Sequence, residues 1–194
     1  HRFCSSGLQA IAHGAMGVHA GIYDCVIGGG VESMSMVPMG GNKVSLNPDL
    51  VEQRPESYIG MGHTAERVAQ RFEVTREQQD EFAYNSHQKA VAAIQAGRFK
   101  EQIVSVQARV PKDGHIATAT FDTDECPRAD TSVEALAKLR PVFSAKGTVT
   151  AGNSSPMNDG AAAAVVMSEA KANTLGVKPL GRMRAFAVKA VPPD

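Results

Sequence analysis

Two short apolar runs constrain the fold of this chain more than any other feature. Tyr23 to Ile27 and Ala161 to Met167 are each too short for a core helix, and both read as buried strands. Each lies beside a helical pattern. Leu8, Ile11, Ala12, Ala15 and Met16 recur at helical spacing between about Ser5 and Ala20, with Gly21 as a stop signal. Ser168 can cap another helix ending near Gly176, and Leu180 to Val188 reads as one more strand. Helix–strand, then strand–helix–strand, predicts a layered α/β core. Residues 33–146 lie between the two halves of that pattern and predict an inserted cap. So few strands make a thin core, because strands covered by helices need neighbours, and both ends read as cut from a longer fold.

Small residues sharpen this picture. Gly14 and Gly17 weaken the first helix, so close packing against another element is the expected compensation. Gly28-Gly29-Gly30, after the first strand, lacks the spacing of a dinucleotide fingerprint or a phosphate loop. It predicts instead a backbone that passes close to another segment or a ligand. With tryptophan absent and aromatics at 5%, the core is expected to be tightly layered.

Within the insertion, about Ser33 to Glu56 is a Pro/Gly/Asn-bearing excursion. A helix is predicted from Thr64 to Phe72. A second runs to Gln95 behind the capping box Thr75-Arg76-Glu77-Gln78, with Gly97 as its stop. Ile103, Val104, Val106 and Val110 suggest a strand and Asp113-Gly114 a hairpin turn. A short helix from Ser132 to Leu139 carries the capping box Thr131-Ser132-Val133-Glu134, and Gly152 to Gly160 is a turn-rich loop.

Twenty basic and twenty acidic residues balance, so no global field favours nucleic acid or an anionic membrane. No window approaches the apolar length of a membrane span. Three cysteines without paired spacing argue against a disulfide framework and for a reducing compartment. The six histidines show no metal-ligand spacing, so no metal site is expected. Cys25 reads as core filling, and Cys126, in an acidic loop, is left unassigned. Cys4 sits just before the first helical turn, where unpaired N–H groups and the helix dipole favour a thiolate, the nucleophilic form. Spacing alone leaves it open between an activated nucleophile and a small buried hydrophobe.

The motifs go further. Arg2-Phe3-Cys4-Ser5-Ser6-Gly7-Leu8-Gln9-Ala10-Ile11 resembles the nucleophile motif of the thiolases. Gly29-Gly30-Val31-Glu32-Ser33-Met34-Ser35, Met61-Gly62-His63-Thr64-Ala65-Glu66, Ala137 to Phe143 and Gly147 to Gly160 resemble later motifs of that family, in the right order. The resemblance implies a thiolase-like layered α/β fold of two similar halves, with a loop domain inserted in the first. Residues 1–32 would belong to the first half, 33–146 to the loop domain, 147–178 to the return into the first half and 179–194 to the start of the second. His1 stands where the family usually has asparagine, and no role is placed on it.

The resemblance also implies roles. Cys4 would be the nucleophile that takes an acyl group from a CoA thioester. Arg128 would lie near the nucleotide end of CoA; Phe143, Ala151 and Ser155 would line its channel, and Met61 would stand beside the pantetheine. Read without the family, these are a solvated charge, two core residues and two loop residues. His63 takes a place where the family varies. CoA would be a substrate, with no resident cofactor, and acyl-CoA and CoA would be the partners of a homodimer or homotetramer. The expected reaction is thiolysis of a 3-ketoacyl-CoA in fatty-acid β-oxidation. A biosynthetic acetoacetyl-CoA thiolase is the alternative, and a non-catalytic CoA-binding or assembly piece the alternative from another class. Cytoplasm is the expected compartment, or mitochondrion or peroxisome in a eukaryote. The Gly-His-Pro, Cys-x-Gly and Asn-Glu-Ala-Phe motifs that carry the family's acid–base chemistry do not occur in these residues, so this stretch alone is not expected to turn over.

Overall fold

The structure, a computed structural model, describes residues 2–192. His1 and the Pro193–Asp194 end of the closing segment lie outside the described residues. The chain forms two compact units, one containing the residues up to Leu46 together with Met157–Pro192, the other Asn47–Pro156.

In the first unit, helix α1 (Ser6–His19) packs on an antiparallel pair, β1 (Cys25–Ser33) and β4 (Asp159–Met167). The register runs from Cys25 opposite Met167 to Ser33 opposite Asp159. Glycine makes the helix–strand contact possible. A Cβ added at Gly14 would sit 2.9 Å from Val26 Cγ1, one at Gly17 2.6 Å from the Tyr23 ring, and one at Gly28 3.0 Å from Ile11 Cα. The close packing expected of Gly14 and Gly17 is therefore present. Ala12, Gly14 and Gly17 form the buried face of α1, while Leu8 and Met16, expected in the apolar stripe, are exposed. Backbone approach on the glycine face selects the orientation over side-chain bulk.

Strand β1 is longer than expected and takes in all three glycines, since Gly28 must face α1 and Gly29 lies against Ala162 and Ala163. Alternation then turns Cys25, Ile27 and Val31 to the other face, where Ile27 is 70% and Val31 80% exposed. Cys25 is exposed rather than core filling. Helix α6 (Glu169–Leu175) begins at Ser168, whose hydroxyl accepts the Lys171 N–H at 3.1 Å, and ends at Gly176. Leu180 to Val188 forms no strand. A strand requires a ladder partner, and β1 and β4 pair with each other alone among the described residues.

The second unit holds α2 (Pro48–Gln53), α3 (Met61–Arg71), α4 (Arg76–Gln95), the hairpin β2 (Val106–Lys112) and β3 (His115–Phe121), and α5 (Val133–Ala137). Helix α2 lies where only an excursion was expected: Asn47 caps it by accepting from the Asp49 and Leu50 N–H groups, and Pro48 occupies its first turn. The Thr75–Gln78 capping box of α4 is formed in both directions, at 2.9 and 3.3 Å. Asp113 and Gly114 both have positive φ, the two-residue turn that matches strand twist. Ile103 and Val104 fall outside β2. The Ile103 N–H is instead held by Phe99 O, in the turns that follow α4. The α5 cap is Ser132 rather than Thr131, since the Ser132 hydroxyl is the one that accepts the Ala135 N–H. Ala69, Asp80, Leu136, Val149 and Thr150 are the buried centre of this unit.

Candidate functional site

Cys4 lies in a 3-10 turn, Phe3–Ser5, that runs directly into α1. The turn is set by the Ser5 N–H donating to Arg2 O at 3.0 Å and by the Arg2 N–H donating to Ser6 Oγ at 2.8 Å. Phe3 adopts φ +47°, a left-handed conformation that is an outlier for a bulky residue and stores about 1–3 kcal/mol. The strain falls on the residue before the cysteine, and Cys4 is exposed. Ser5, at the N-cap, donates and accepts no side-chain capping bond, so the first-turn N–H groups of α1 carry no side-chain cap. The Ser6 N–H is itself engaged by Phe3 O, and the exposed Cys4 thiol is open to a carbonyl electrophile.

At the far end of the same ladder, Asp159 accepts the Ser35 N–H at 2.9 Å and its hydroxyl at 2.5 Å. The Ser35 hydroxyl, then the Ser35 N–H, hold the Asp159 carboxyl below the usual carboxylate range. This clasp joins two of the motifs read from the sequence and closes β1 onto β4.

In the second unit Phe143 meets the start of the helix that carries Met61. Met61 is the first residue of α3, and the first turn of that helix lies against Phe143. Gly62 has no room for a Cβ beside the Phe143 ring, and the His63 and Phe143 rings meet edge-on with centroids 5.8 Å apart. Ala151 and Ser155 are exposed on one turn-rich loop. That loop is fixed from below by Asn153, whose Oδ1 accepts the Thr150 N–H at 2.7 Å and whose Nδ2 donates to Asp80 Oδ1 at 2.9 Å.

Arg128 is held differently. Its backbone N–H donates to His87 Nδ1 at 3.1 Å, and its guanidinium forks onto Asp130 at 3.2 and 3.0 Å. The hydrogen bonds between them raise the Arg128 pKa and lower that of Asp130, and both side chains are exposed. A phosphate at Arg128 would share the guanidinium with Asp130 or displace it. Asp130, two residues on in the same loop, was not read from the sequence; its i, i+2 spacing from the arginine was the available signal.

Among the described residues no group of three His, Cys, Asp or Glu side chains is arranged to hold a metal ion. No helix among them is long and apolar enough to cross a membrane.

The family model described as "Thiolase, N-terminal domain" matches residues 1–170. A 3-ketoacyl-CoA thiolase of Bacillus subtilis is 49% identical, aligned over all of this chain and 51% of its own length. An acetyl-CoA acetyltransferase of Pseudomonas aeruginosa is 43% identical, again over the whole chain and 51% of its length. The crystal structure of the dimeric peroxisomal thiolase of Saccharomyces cerevisiae superposes with a TM-score of 0.80 at 36% identity, covering 92% of this chain and 45% of the yeast one. The chain thus spans about half the length of the relatives it matches. With its motifs in order, its α/β architecture matched by a solved thiolase and residues 1–170 matched by the N-terminal domain model, this chain belongs to the thiolase family.

Proposed function

We propose that the protein carrying these residues transfers acyl groups between CoA thioesters, with Cys4 as the nucleophile. The observation that carries the reading is the exposed thiol in a strained turn at an uncapped helix N-terminus. In the degradative direction the Cys4 thiolate attacks the keto carbon of a 3-ketoacyl-CoA. The resulting oxyanion collapses, the bond between that carbon and the CoA-bearing fragment breaks, and the electron pair leaves as the enolate of acetyl-CoA, which takes up a proton. The acyl group stays on Cys4 as a thioester until the thiolate of free CoA attacks it and Cys4 departs. Two proton transfers attend these steps, and Cys4 is the one catalytic group assigned among these residues.

Met61, Phe143, Ala151 and Ser155 form the proposed pantetheine and CoA contacts, with Arg128 at the nucleotide end. CoA is a substrate in this scheme, and no resident cofactor is required. Residues 33–146 are proposed as the loop domain, flanked by 1–32 and 147–178 from one α/β half, with 179–194 beginning the second. The 49% identity to a 3-ketoacyl-CoA thiolase favours the degradative direction, while the acetyl-CoA acetyltransferase at 43% keeps the biosynthetic one as a second reading. A homodimer or homotetramer is proposed, supported by the dimeric yeast relative. The compartment proposed is the cytoplasm, or a mitochondrion or peroxisome in a eukaryote.

The test is acylation. Incubating the complete gene product with acetoacetyl-CoA and digesting it should yield an acetylated Cys4 peptide, and Cys4→Ser should abolish both that peptide and thiolysis. Label on Cys25 or Cys126 in place of Cys4, or turnover by the serine variant near the wild-type rate, would refute the assignment. A sharp preference for acetoacetyl-CoA over long-chain 3-ketoacyl-CoA would favour the biosynthetic reading.

A further inference from the structure

Glu66 closes one of the motifs read from the sequence, yet the chemistry above gives it no part. In the structure its half-buried side chain is aimed at the backbone of a loop 82 positions away. Both carboxylate oxygens accept the Thr148 N–H, at 3.0 and 2.9 Å. Oε1 also accepts the Val149 N–H at 2.9 Å, and Oε2 the Thr148 hydroxyl at 3.3 Å. Gly147 has no Cβ because the Glu66 carboxylate fills that space.

The same loop is gripped from α4. Asn153 ties Thr150 N–H and Thr148 O to Asp80, and Gln79 Nε2 donates to Thr148 Oγ1 at 2.9 Å. Residues 148–150 are thereby suspended between two helices, by Glu66 from α3 and by Gln79 and the Asp80–Asn153 pair from α4. Ala151 and Ser155, both exposed on this loop, flank Asn153 and follow directly on the residues these bonds hold. Three of the bonds are charge-assisted and end on backbone N–H groups, which fixes the path of the chain rather than a side-chain rotamer.

We propose that Glu66 and Asn153 are positioning residues for CoA: they hold the Ala151–Ser155 segment in its binding conformation and so set affinity for CoA and its thioesters, leaving acyl transfer at Cys4 untouched. The inference rests on the reading of Ala151 and Ser155 as CoA contacts. An unclamped loop spends only part of its time in the binding-competent conformation, and apparent affinity falls by that fraction.

The experiment uses the complete gene product and measures thiolysis of acetoacetyl-CoA against CoA concentration, alongside the rate of Cys4 alkylation by iodoacetamide and the thermal midpoint. Glu66→Ala and Asn153→Ala should each raise KM for CoA about tenfold with kcat within about threefold, the signature of lost binding. Glu66→Gln keeps an acceptor towards Thr148 and Val149 and should restore KM to within about threefold of wild type. Alkylation of Cys4 without ligand should be unchanged, while protection by CoA should require about tenfold more of it. Should Glu66→Ala fail to fold, Glu66→Asp, which keeps the charge and withdraws it from the loop, should show the same KM effect at smaller size. A folded Glu66→Ala and Asn153→Ala with wild-type KM, or with a loss confined to kcat, overturns this inference alone. A wild-type protein that neither acylates Cys4 nor performs thiolysis overturns the functional reading and this inference with it.

Discussion

Replacing Asp80 with alanine should lower the stability of the Asn47–Pro156 unit by about 3 kcal/mol. Asp80 is 1% exposed on α4; its Oδ2 accepts from Arg76 Nε at 2.7 Å and its Oδ1 from Asn153 Nδ2 at 2.9 Å. Breaking a buried ion pair by removing one partner typically costs about 3–5 kcal/mol, because the other charge is left behind. Here the lower end applies. Arg76 retains Leu136 O at 2.7 Å and Leu139 O at 3.0 Å, and its side chain is 20% exposed, so the orphaned guanidinium is partly solvated. Counted as two charge-assisted hydrogen bonds at roughly 1.5–3 kcal/mol each, the loss spans about 3–6 kcal/mol, and about 3 is its lower end. For a unit of this size that is a fall of about 10–20 °C in thermal midpoint. Urea unfolding followed by far-UV circular dichroism reads the loss, and amide exchange at Thr150 and Gly152 localises it to the loop that Asn153 supports. The double variant Arg76→Met with Asp80→Leu should be more stable than Asp80→Ala, since removing both charges leaves none buried without a partner. A loss under about 1 kcal/mol in Asp80→Ala, or a double variant less stable than the single, would refute the account of a buried pair whose value lies in mutual compensation.

Gly28→Ala should destabilise the first unit by about 1–3 kcal/mol, because the new methyl would stand 3.0 Å from the backbone of Ile11 and must push α1 off the sheet; an unchanged urea midpoint would show that the helix is not held where the structure has it. Asp159 has its folded pKa depressed by Ser35, so its contribution is present above the unfolded value of about 3.9 and is lost as pH falls through the folded one. Asp159→Asn should therefore flatten the stability–pH profile below about pH 4 and leave its shape at neutral pH unaltered; a profile steeper in acid than that of wild type would contradict the clasp.

Local chemistry was legible in the sequence because local signals are complete in themselves. A threonine and a glutamine three residues apart satisfy each other's backbone groups whatever surrounds them, and Asp113-Gly114 needs only its own two dihedrals. The misreadings share an opposite property. Leu180 to Val188 has the composition of a strand, but strandedness is a relation to a neighbour, and no ladder partner lies beside it among the described residues. Cys25 is apolar and sits in an apolar run, but which face it takes was decided by Gly28, whose missing side chain admits the helix on the other side.

The site divides along the same line. Cys4 drew notice because a cysteine at a helix N-terminus is a local arrangement, and the structure shows it exposed rather than buried. The strain at Phe3 was not readable, since phenylalanine has no preference for φ +47° and adopts it only under constraint from its surroundings. Glu66 shows the contrast most fully. Its motif marked the position, but the carboxylate acts on residues 82 and 83 positions away, and nothing in the side chain itself states that its partners are backbone N–H groups. Residues that react reveal themselves by type, whereas residues that position are known only by what they touch. A substitution that preserves type but moves the contact, such as Glu66→Asp, should therefore perturb binding more than its chemical conservatism suggests.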